Sequence, residues 1–251
     1  SPVIIADDID MNTAVERMIY GKCLNSGQIC VAPDYVLVPR EKLDSFIQTY
    51  KKKFTRMYGN VSSNKNYGSV INQRQFERIL QVIDDAKQKG ATVISANGES
   101  IDSEKRKIPT QLVSNTSDDM LIVQEEIFGP LLPVLPYDDI NDAINYVNQR
   151  PRPLALYLMS FDVNTQQKVM THTHSGGICI NDTVFHVAAD DAPFGGIGPS
   201  GMGHYHGKEG FLTFSHAKTV LSRGKYLNTG KLIHPPYGGF IQRLLLKFFL
   251  R

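Results

Sequence analysis

The sequence of 251 residues contains no tryptophan and only three cysteines. Three cysteines cannot all pair, and none has the close spacing of a zinc-binding pair, so a reducing cytoplasm fits this chain better than secretion. Residues 1–8 lack the basic start and the apolar core of a signal peptide. No apolar run is long enough to cross a bilayer. These absences indicate a cytoplasmic globular protein.

The chain also lacks a large excess of positive or negative charge. The chain has 27 Lys and Arg against 25 Asp and Glu, with both signs scattered along it. A net charge of +2 gives no electrostatic reason to expect nucleic acid or an acidic partner. Apolar residues make up 41% of the chain, which is enough for the core of one large α/β domain or two small ones.

Hydrophobic periodicity predicts an α/β fold. Stretches with helical spacing begin at Asp10, Leu43, Asn72, Asp139 and Asn164, and apolar strand-like runs separate them. Residues 97–106 are polar and predict a surface loop. The alternation of helices and strands predicts a largely parallel sheet flanked by helices. The predicted strands span residues 3–6, 35–38, 91–95, 111–113, 131–135, 154–159 and 177–180.

Cys30 is the residue most suggestive of chemistry. A free thiol titrates near 8.5, so only about 3% is thiolate at pH 7 unless its surroundings lower that value. Gly27 exposes backbone amides, and the carboxamides of Asn25 and Gln28 are near enough in sequence to stabilise a thiolate or an oxyanion. The alternative is a small buried apolar residue, which is our interpretation of Cys23 and Cys179.

Three segments in order resemble the aldehyde dehydrogenase superfamily, and its class 3 branch in particular. The segment 25–34 (NSGQICVAPD) is similar to the nucleophile segment of that family, 124–133 (QEEIFGPLLP) to its cofactor-contacting segment, and 193–207 (PFGGIGPSGMGHYHG) to its substrate-side loop. The resemblance is closer still to the bacterial coniferyl aldehyde dehydrogenases. It is carried by RPRPLALY at 150–157, NDTVFHVA at 181–188 and GFLTFSHAK at 210–218.

The resemblance implies how the chain is organised. It covers residues 1 to about 219 and identifies this chain with the C-terminal half of such an enzyme. We expect residues 1–8 to end a dinucleotide-binding domain, 9–219 to form the catalytic domain, and 220–251 to form a tail. In the family, the general-base glutamate and an oxyanion-binding asparagine precede this segment. We therefore expect the chain to be inactive without that N-terminal half.

The resemblance also implies a reaction. Cys30 would attack an aldehyde carbonyl, its own backbone amide would help to bind the oxyanion, and hydride would pass to NAD, with NADP as the alternative. Hydrolysis of the resulting thioester would release the carboxylic acid. The implied substrates are aromatic aldehydes such as coniferyl aldehyde, or long-chain aldehydes.

Individual site residues follow from matched positions. Glu126 and Phe128 match the positions where relatives hold the nicotinamide ribose and pack near the ring, whereas Glu125 is interpreted as structural. The residues that we expect to line the substrate site are Tyr20, Leu24, Asn25, Val187, Phe194 and His206. For Tyr20 and Leu24 the alternative is ordinary helix packing, because such residues on one helical face are usually core.

Two further patterns suggest cofactors but have the wrong context. The run 196–201 satisfies G-x-G-x-x-G, yet it contains Pro199 and lacks the acidic residue that a dinucleotide-binding turn carries about 20 positions later. We interpret it as a flexible loop beside the substrate tunnel. The H-x-H pairs at 172–174 and 204–206 have no third ligand nearby, so we expect no metal site.

The tail and the function class leave alternatives open. Arg243, Lys247 and Arg251 are spaced four residues apart in an apolar segment, as in an interfacial membrane helix. Our preferred interpretation is a tail that packs on its own subunit or on a dimer partner. A thiol acyltransferase or hydrolase using Cys30 would need a histidine base, and no local Cys/His signature is present. The third alternative is a non-enzymatic module in which this half pairs with another chain. Size-exclusion behaviour of the isolated chain would separate it, because a half-enzyme should expose a large apolar interface and associate.

Overall fold

The first of two units, Ser1–Phe214, is built around one seven-stranded sheet, and the computed structural model describes residues 1–226, 230 and 234–249. The strands are β1 (Pro2–Ile5), β2 (Tyr35–Pro39), β3 (Thr92–Ser95), β4 (Gln111–Ser114), β5 (Leu131–Tyr137), β6 (Ala155–Met159) and β7 (Gly177–Ile180). Their order is β3-β4-β5-β2-β1-β6-β7, and only the β3–β4 pair is antiparallel. The predicted parallel α/β sheet is confirmed.

Helices cover both faces of this sheet. They are α1 (Met11–Cys23), α2 (Leu43–Tyr58), α3 (Gln73–Gln88), α4 (Leu121–Gln124), α5 (Ile140–Asn148), α6 (Val163–His172) and α7 (Gly207–Thr213). Side-chain caps fix two predicted helix starts. The Asp10 carboxylate accepts a hydrogen bond from the Thr13 backbone amide at 2.9 Å, and the side-chain oxygen of Asn72 accepts one from the Gln75 backbone amide at 2.9 Å.

The sheet separates the apolar core into layers on its two faces, as alternating residues of β1 show. Val3 and Ile5 are fully buried in an apolar cluster with residues of α1 and α2, whereas Ile4 packs with Ile144 of α5 and Val169 of α6. Side chains of a strand point alternately to opposite faces, so β1 must be apolar throughout. A third cluster lies between α3 and β4. β1 therefore lies buried at the centre of the layered core.

The segments that the sequence linked to chemistry lie at the amino edge of the sheet. Cys30 lies between α1 and β2, and residues 125–130 lead into β5, which is the parallel neighbour of β2. The amino ends of adjacent parallel strands lie side by side, so the fold brings these two segments together. This edge is opposite to the carboxyl edge, where open α/β sheets usually bind ligands.

The second unit, Ser215–Arg251, contains one further helix in its described part, α8 (Phe240–Phe249). Arg243 and Lys247 are exposed on it, as are Phe240 and Phe248, whereas Arg251 lies outside the described residues. Within the described ranges, no helix has both the length and the apolarity needed to cross a membrane. The second unit begins at Ser215, whereas the sequence predicted that the tail begins at residue 220.

The last turn of α2 has one exposed apolar residue. Helical periodicity from Leu43 places Met57 on the apolar face of this helix, but its side chain is 45% exposed. Phe54, one turn earlier, is fully buried, with its ring centroid 5.2 Å from that of Tyr58 and 5.8 Å from that of Tyr67. The apolar face of α2 therefore includes Phe54 and the half-buried Tyr58, and Met57 lies on the exposed side of the helix.

This difference in burial predicts a contrast between two substitutions in α2. Phe54→Ala should lower the free energy of unfolding by about 3–5 kcal/mol, because it opens a cavity among packed rings. Met57→Ala, on the exposed side of the same helix, should change it by about 0.5 kcal/mol or less. Urea unfolding of the chain followed by circular dichroism measures both, and equal midpoints for the two variants would contradict the assignment.

Candidate active site

The turn that presents Cys30, residues 24–30, departs sharply from helical geometry. The helix α1 ends at Cys23, so Leu24 begins a short 3₁₀ turn instead of continuing the helix as predicted. Asn25, Ser26 and Gly27 then adopt left-handed backbone conformations, with φ of 49°, 56° and 74°. A Cβ atom on Gly27 would lie 2.5 Å from the carbonyl oxygen of Gly129, so only glycine permits this approach. We call residues 24–30 the Cys30 turn.

Hydrogen bonds within the Cys30 turn occupy the carboxamides that the sequence suggested for thiolate stabilisation. The Gln28 amide nitrogen donates to the carbonyl oxygens of Asn25 and Ser69, at 2.8 and 3.1 Å, and its oxygen accepts from the Ile71 amide at 2.9 Å. The Asn25 amide donates to the Gln28 carbonyl oxygen at 3.2 Å. Gln28 therefore stabilises the turn, and its carboxamide is not directed at the thiol.

Cys30 differs from the other two cysteines in exposure. Cys23 is buried, Cys179 is half-buried and Cys30 is exposed, and all three are unpaired. Burial raises the pKa of Cys23 to about 11 and also raises the pKa of Cys179, which keeps both as neutral thiols. Cys30 instead borders a cavity of about 410 Å³ that Asp34 and Glu126 also line. Only Cys30 combines exposure with polar neighbours in a cleft.

Residues 125–130, the Glu126 loop, lie against the Cys30 turn. Phe128 has a φ of 47° and is 43% exposed. On its amino side, the Ile127 amide donates to the Asp34 carboxylate at 3.0 Å, and the Ile127 carbonyl oxygen accepts from the Arg78 guanidinium. Burial raises the pKa of Glu126, and repulsion from Asp34 adds to the rise. The backbone amide and the carbonyl oxygen of Ile127 therefore both anchor the Glu126 loop.

Glu126 borders a second cavity, of about 760 Å³, together with Gln28, Arg78, Glu125 and Phe128. The set of side chains here consists of an exposed carboxylate able to accept hydrogen bonds from two hydroxyl groups and an aromatic ring able to pack against a planar group. Such a set fits a ribose joined to a nicotinamide ring. Glu126 lines both cavities, so Cys30, Glu126 and Phe128 border one cleft.

The remaining predicted site residues form two groups. Phe194 is 8% exposed, exchanges two backbone hydrogen bonds with Tyr205, and stacks on His206 with ring centroids 6.2 Å apart. His206 holds φ 73° and ψ 153°, a region that favours glycine. Separately, Tyr20 is 46% exposed and stacks on Phe185 at 5.6 Å.

Two backbone features direct the segments that carry Phe185 and Phe194 back toward the amino edge of the sheet. Val184 has a φ of 70°, and the Phe185 amide donates to the Thr183 carbonyl oxygen at 2.8 Å, which is the strained γ-turn geometry. Val187 follows and packs on the main core cluster. Further on, Gly195 contacts the backbone beside Gly176, just before β7. Leu24 is half-buried at the start of the Cys30 turn.

The two cofactor-like patterns adopt other structures. Gly198–Ser200 forms a 3₁₀ turn, and no strand leads into it or α-helix out of it as a dinucleotide-binding turn requires. His204 lies 3.3 Å from Glu209. In the part of the chain that the structure describes, no group of three or more metal-ligating side chains converges.

Lys22, Asp34 and Arg78 are charged residues of this region that the sequence did not single out. Lys22 is 1% exposed, and burial lowers its pKa to about 8, with attraction by Asp34 opposing the fall. A signal was present, because Lys22 lies four residues after Met18 on the apolar stripe of α1. A lysine at a core position usually has a partner.

The chain has close relatives among known proteins. The sequence model of the aldehyde dehydrogenase family matches residues 1–220. A probable coniferyl aldehyde dehydrogenase of Pseudomonas aeruginosa is 53% identical over 251 residues, which are 100% of this chain and 52% of the relative. A coniferyl aldehyde dehydrogenase of a Pseudomonas species is 46% identical over 98% of this chain and 52% of its own length. The chain spans about half the length of the curated relatives it matches.

Solved structures agree with these matches. The substrate-bound AldH of Staphylococcus aureus superposes with a TM-score of 0.87 at 39% identity, over 99% of this chain and 53% of its own. An aldehyde dehydrogenase of Mycobacterium tuberculosis complexed with NAD+ gives 0.80 at 29% identity, over 91% and 47%. On its sequence, its sheet and the cleft that holds Cys30, this chain belongs to the aldehyde dehydrogenase family.

Proposed function

We propose that this chain carries the catalytic half of an NAD(P)-dependent aldehyde dehydrogenase that oxidises aromatic aldehydes such as coniferyl aldehyde to carboxylic acids. The observation that carries the proposal is the cleft in which the exposed residues Cys30 and Glu126 line one cavity. The names of the Pseudomonas relatives support coniferyl aldehyde as the substrate. Long-chain aldehydes are the second substrate class.

Cys30 is the proposed nucleophile. Its thiolate adds to the aldehyde carbon, forming a carbon–sulfur bond and an oxyanion that accepts a hydrogen bond from the Cys30 backbone amide. As the carbonyl re-forms, the carbon loses hydride and a thioester remains on Cys30. Water then attacks the thioester carbon, which releases the acid and restores the thiol.

Glu126 and Phe128 are the proposed cofactor contacts. The Glu126 carboxylate would accept hydrogen bonds from the ribose hydroxyls, and the Phe128 ring would pack beside the nicotinamide. Bound NAD or NADP supplies the hydride acceptor that no side chain can provide. The relative complexed with NAD+ supports this cofactor class.

The substrate side is proposed to consist of Tyr20, Leu24, Asn25, Val187, Phe194 and His206. The exposed pair Tyr20–Phe185 offers flat aromatic surface near the end of α1, and the Phe194–His206 pair places two stacked rings in the loop before α7. Such surface suits an aromatic aldehyde better than a small aliphatic one. Asn25, which is exposed beside Cys30, would contact the reacting end.

The general base and the second oxyanion donor are proposed to lie in the half of the relatives that this chain does not span. We refer to this chain joined to such an N-terminal half as the completed polypeptide. The 251-residue chain on its own should give no turnover, because thioester hydrolysis would lack its base.

Substitution of the nucleophile tests the proposed reaction. In the completed polypeptide with coniferyl aldehyde and NAD, Cys30→Ser should abolish NADH formation, because a serine hydroxyl is not activated as a thiolate is. Cys179→Ser is the matched control and should retain most activity. Absorbance at the NADH band measures both. Equal rates for Cys30→Ser and the unsubstituted protein would refute the assignment.

A paired substitution tests the cofactor contact. Glu126→Gln should raise the KM for NAD by about tenfold or more, since hydrogen bonds to a charged acceptor contribute more than those to a neutral one. Glu125→Gln removes the neighbouring charge and should leave that KM within about twofold. Steady-state kinetics at saturating aldehyde gives both values, and the reverse ranking would identify Glu125 as the contact.

A cofactor-independent thiol hydrolase is the alternative enzyme class. It needs an imidazole on the Cys30 thiol, and within the described ranges no hydrogen bond joins a histidine to this sulfur. Ester hydrolysis that depends on Cys30 and proceeds without NAD would favour this class.

Self-association through residues 220–251 is proposed in preference to a lipid contact, and a cytoplasmic location is proposed with it. Light scattering of the completed polypeptide should show a homodimer, and removal of residues 220–251 should shift it toward monomer. The exposed apolar residues of α8 supply the surface for this contact. An unchanged dimer after removal, together with tail-dependent binding to anionic lipid vesicles, would replace the proposal with the interfacial-helix alternative.

A further inference from the structure

The backbone that carries Cys30 forms a tight turn between buried residues. The Ala32 amide donates to the Ile29 carbonyl oxygen at 2.9 Å, so Cys30 and Val31 occupy the two central positions of a β-turn, the 29–32 turn. Val31 is 2% exposed and belongs to the main core cluster, and Ile29 packs against that cluster. Cys30 itself is exposed. The groups that hold the 29–32 turn therefore determine where the thiol lies.

Tyr157 connects the 29–32 turn to the sheet. Its hydroxyl donates to the carbonyl oxygen of Val31 at 2.5 Å, and among the described residues no other group donates to that oxygen. Tyr157 is fully buried in the middle of β6, where it pairs with Val3 of β1 and Cys179 of β7. A side chain on a strand between two others is held more precisely than one on a loop. The hydroxyl is thus a fixed anchor for the turn.

The burial of this hydrogen bond makes it hard to replace. A buried carbonyl oxygen that loses its donor keeps the full cost of having left water, because no solvent molecule substitutes for the lost bond. Burial also raises the pKa of Tyr157, and the charges of Cys179 and Cys30 add to the rise. The hydroxyl therefore stays protonated, and remains a donor, at neutral and moderately alkaline pH.

A second buried tyrosine makes the same kind of bond at the opposite edge of the sheet. The Tyr137 hydroxyl donates to the Ile5 carbonyl oxygen at 2.8 Å. Tyr137 and Ile5 are the last residues of β5 and β1, so this bond lies at the carboxyl edge, away from the Cys30 turn. Tyr157 differs from Tyr137 in its acceptor, which is the residue next to the proposed nucleophile.

We propose that Tyr157 is a positioning residue for the nucleophile: its hydroxyl holds the Val31 carbonyl against the sheet and so fixes the 29–32 turn that carries Cys30. This inference rests on the proposed function and adds to it a residue that does not touch the reacting atoms. The Cys30 backbone amide, the proposed oxyanion donor, belongs to the same turn, so one bond fixes both the thiol and this amide. A displacement of about 1 Å in such a site can lower a rate about 100-fold.

Removal of the hydroxyl alone separates this role from packing. In the completed polypeptide, Tyr157→Phe keeps the ring and its packing against His186. It should lower the rate of a single turnover of coniferyl aldehyde, measured by stopped-flow NADH absorbance, by about tenfold or more. The Kd for NADH should stay within about twofold, since Asp34 and Arg78 anchor the Glu126 loop without Tyr157. Fluorescence titration measures that Kd.

Tyr137→Phe is the matched control. Both substitutions leave a buried carbonyl oxygen without its donor, so both should lower the urea midpoint to a similar extent. Only Tyr157→Phe should slow the single turnover. Alkylation of Cys30 by iodoacetamide should stay within about threefold in both variants, because this reagent needs no alignment with a bound aldehyde and cofactor.

A rescue variant tests whether the hydrogen bond itself is responsible. Tyr157→4-aminophenylalanine carries a ring amine that can donate to the Val31 carbonyl oxygen in place of the hydroxyl. Its single-turnover rate should return to within about threefold of that of the unsubstituted protein, because the turn regains a donor.

Three results would overturn the inference. They are an unchanged single-turnover rate in Tyr157→Phe, an equal loss in Tyr137→Phe, which indicates lower stability alone, and a parallel fall in alkylation, which indicates an effect on the thiol itself. If Tyr157→Phe does not fold, Tyr157→4-aminophenylalanine decides, and a folded form of it that has lost about tenfold in rate refutes the positioning role. Absence of NADH formation by the unsubstituted polypeptide would instead refute the proposed function.

Discussion

The close approach of two backbone turns is the constraint on which the cleft depends. The Cys30 turn and the Glu126 loop meet where Gly27 lies against the Gly129 carbonyl oxygen, at a distance that leaves no room for a Cβ atom. Both turns precede neighbouring parallel strands, so the sheet fixes their spacing. Because Cys30 and Glu126, the proposed nucleophile and cofactor contact, each lie within a few residues of this contact, their separation is set by backbone packing.

Both turns contain strained backbone. Asn25 and Ser26 in the Cys30 turn and Phe128 in the Glu126 loop have positive φ. Each such residue costs about 1–3 kcal/mol, so the surrounding core must hold it. The rigid layers around β1, which are buried on both faces, supply that support. Strained turns on a rigid sheet keep the exposed thiol in one orientation.

Periodicity predicted the architecture well because strands and helices are specified locally. Asp10 and Asn72 cap their helices through bonds three residues away, and every predicted strand overlaps an observed one. The Cys30 turn was found by its sequence pattern, but its geometry was not. Gln28 was expected near the thiol, whereas its carboxamide bonds Ser69 and Ile71, more than forty positions away. Contacts across such separations cannot be derived from local spacing.

The buried charge of Lys22 was missed for a related reason. Lys22 interrupts an apolar stripe and could have been noticed, but its burial, with 1% of its surface exposed, depends on tertiary packing that local spacing does not reveal. Likewise, the stacking of Phe185 on Tyr20 depends on the γ-turn at Val184, a conformation that valine does not favour. In both cases the sequence identified residues, whereas tertiary packing determined their contacts.

The most direct test of the account is the covalent state of Cys30 during the reaction. The completed polypeptide would be mixed with NAD and coniferyl aldehyde, quenched in acid at short times and mapped by peptide mass spectrometry. The account predicts an adduct on the peptide containing Cys30, with the mass of the aldehyde less two hydrogens, formed only when NAD is present. An NAD-dependent adduct on Cys23 or Cys179, or turnover with Cys30 never modified, would contradict it.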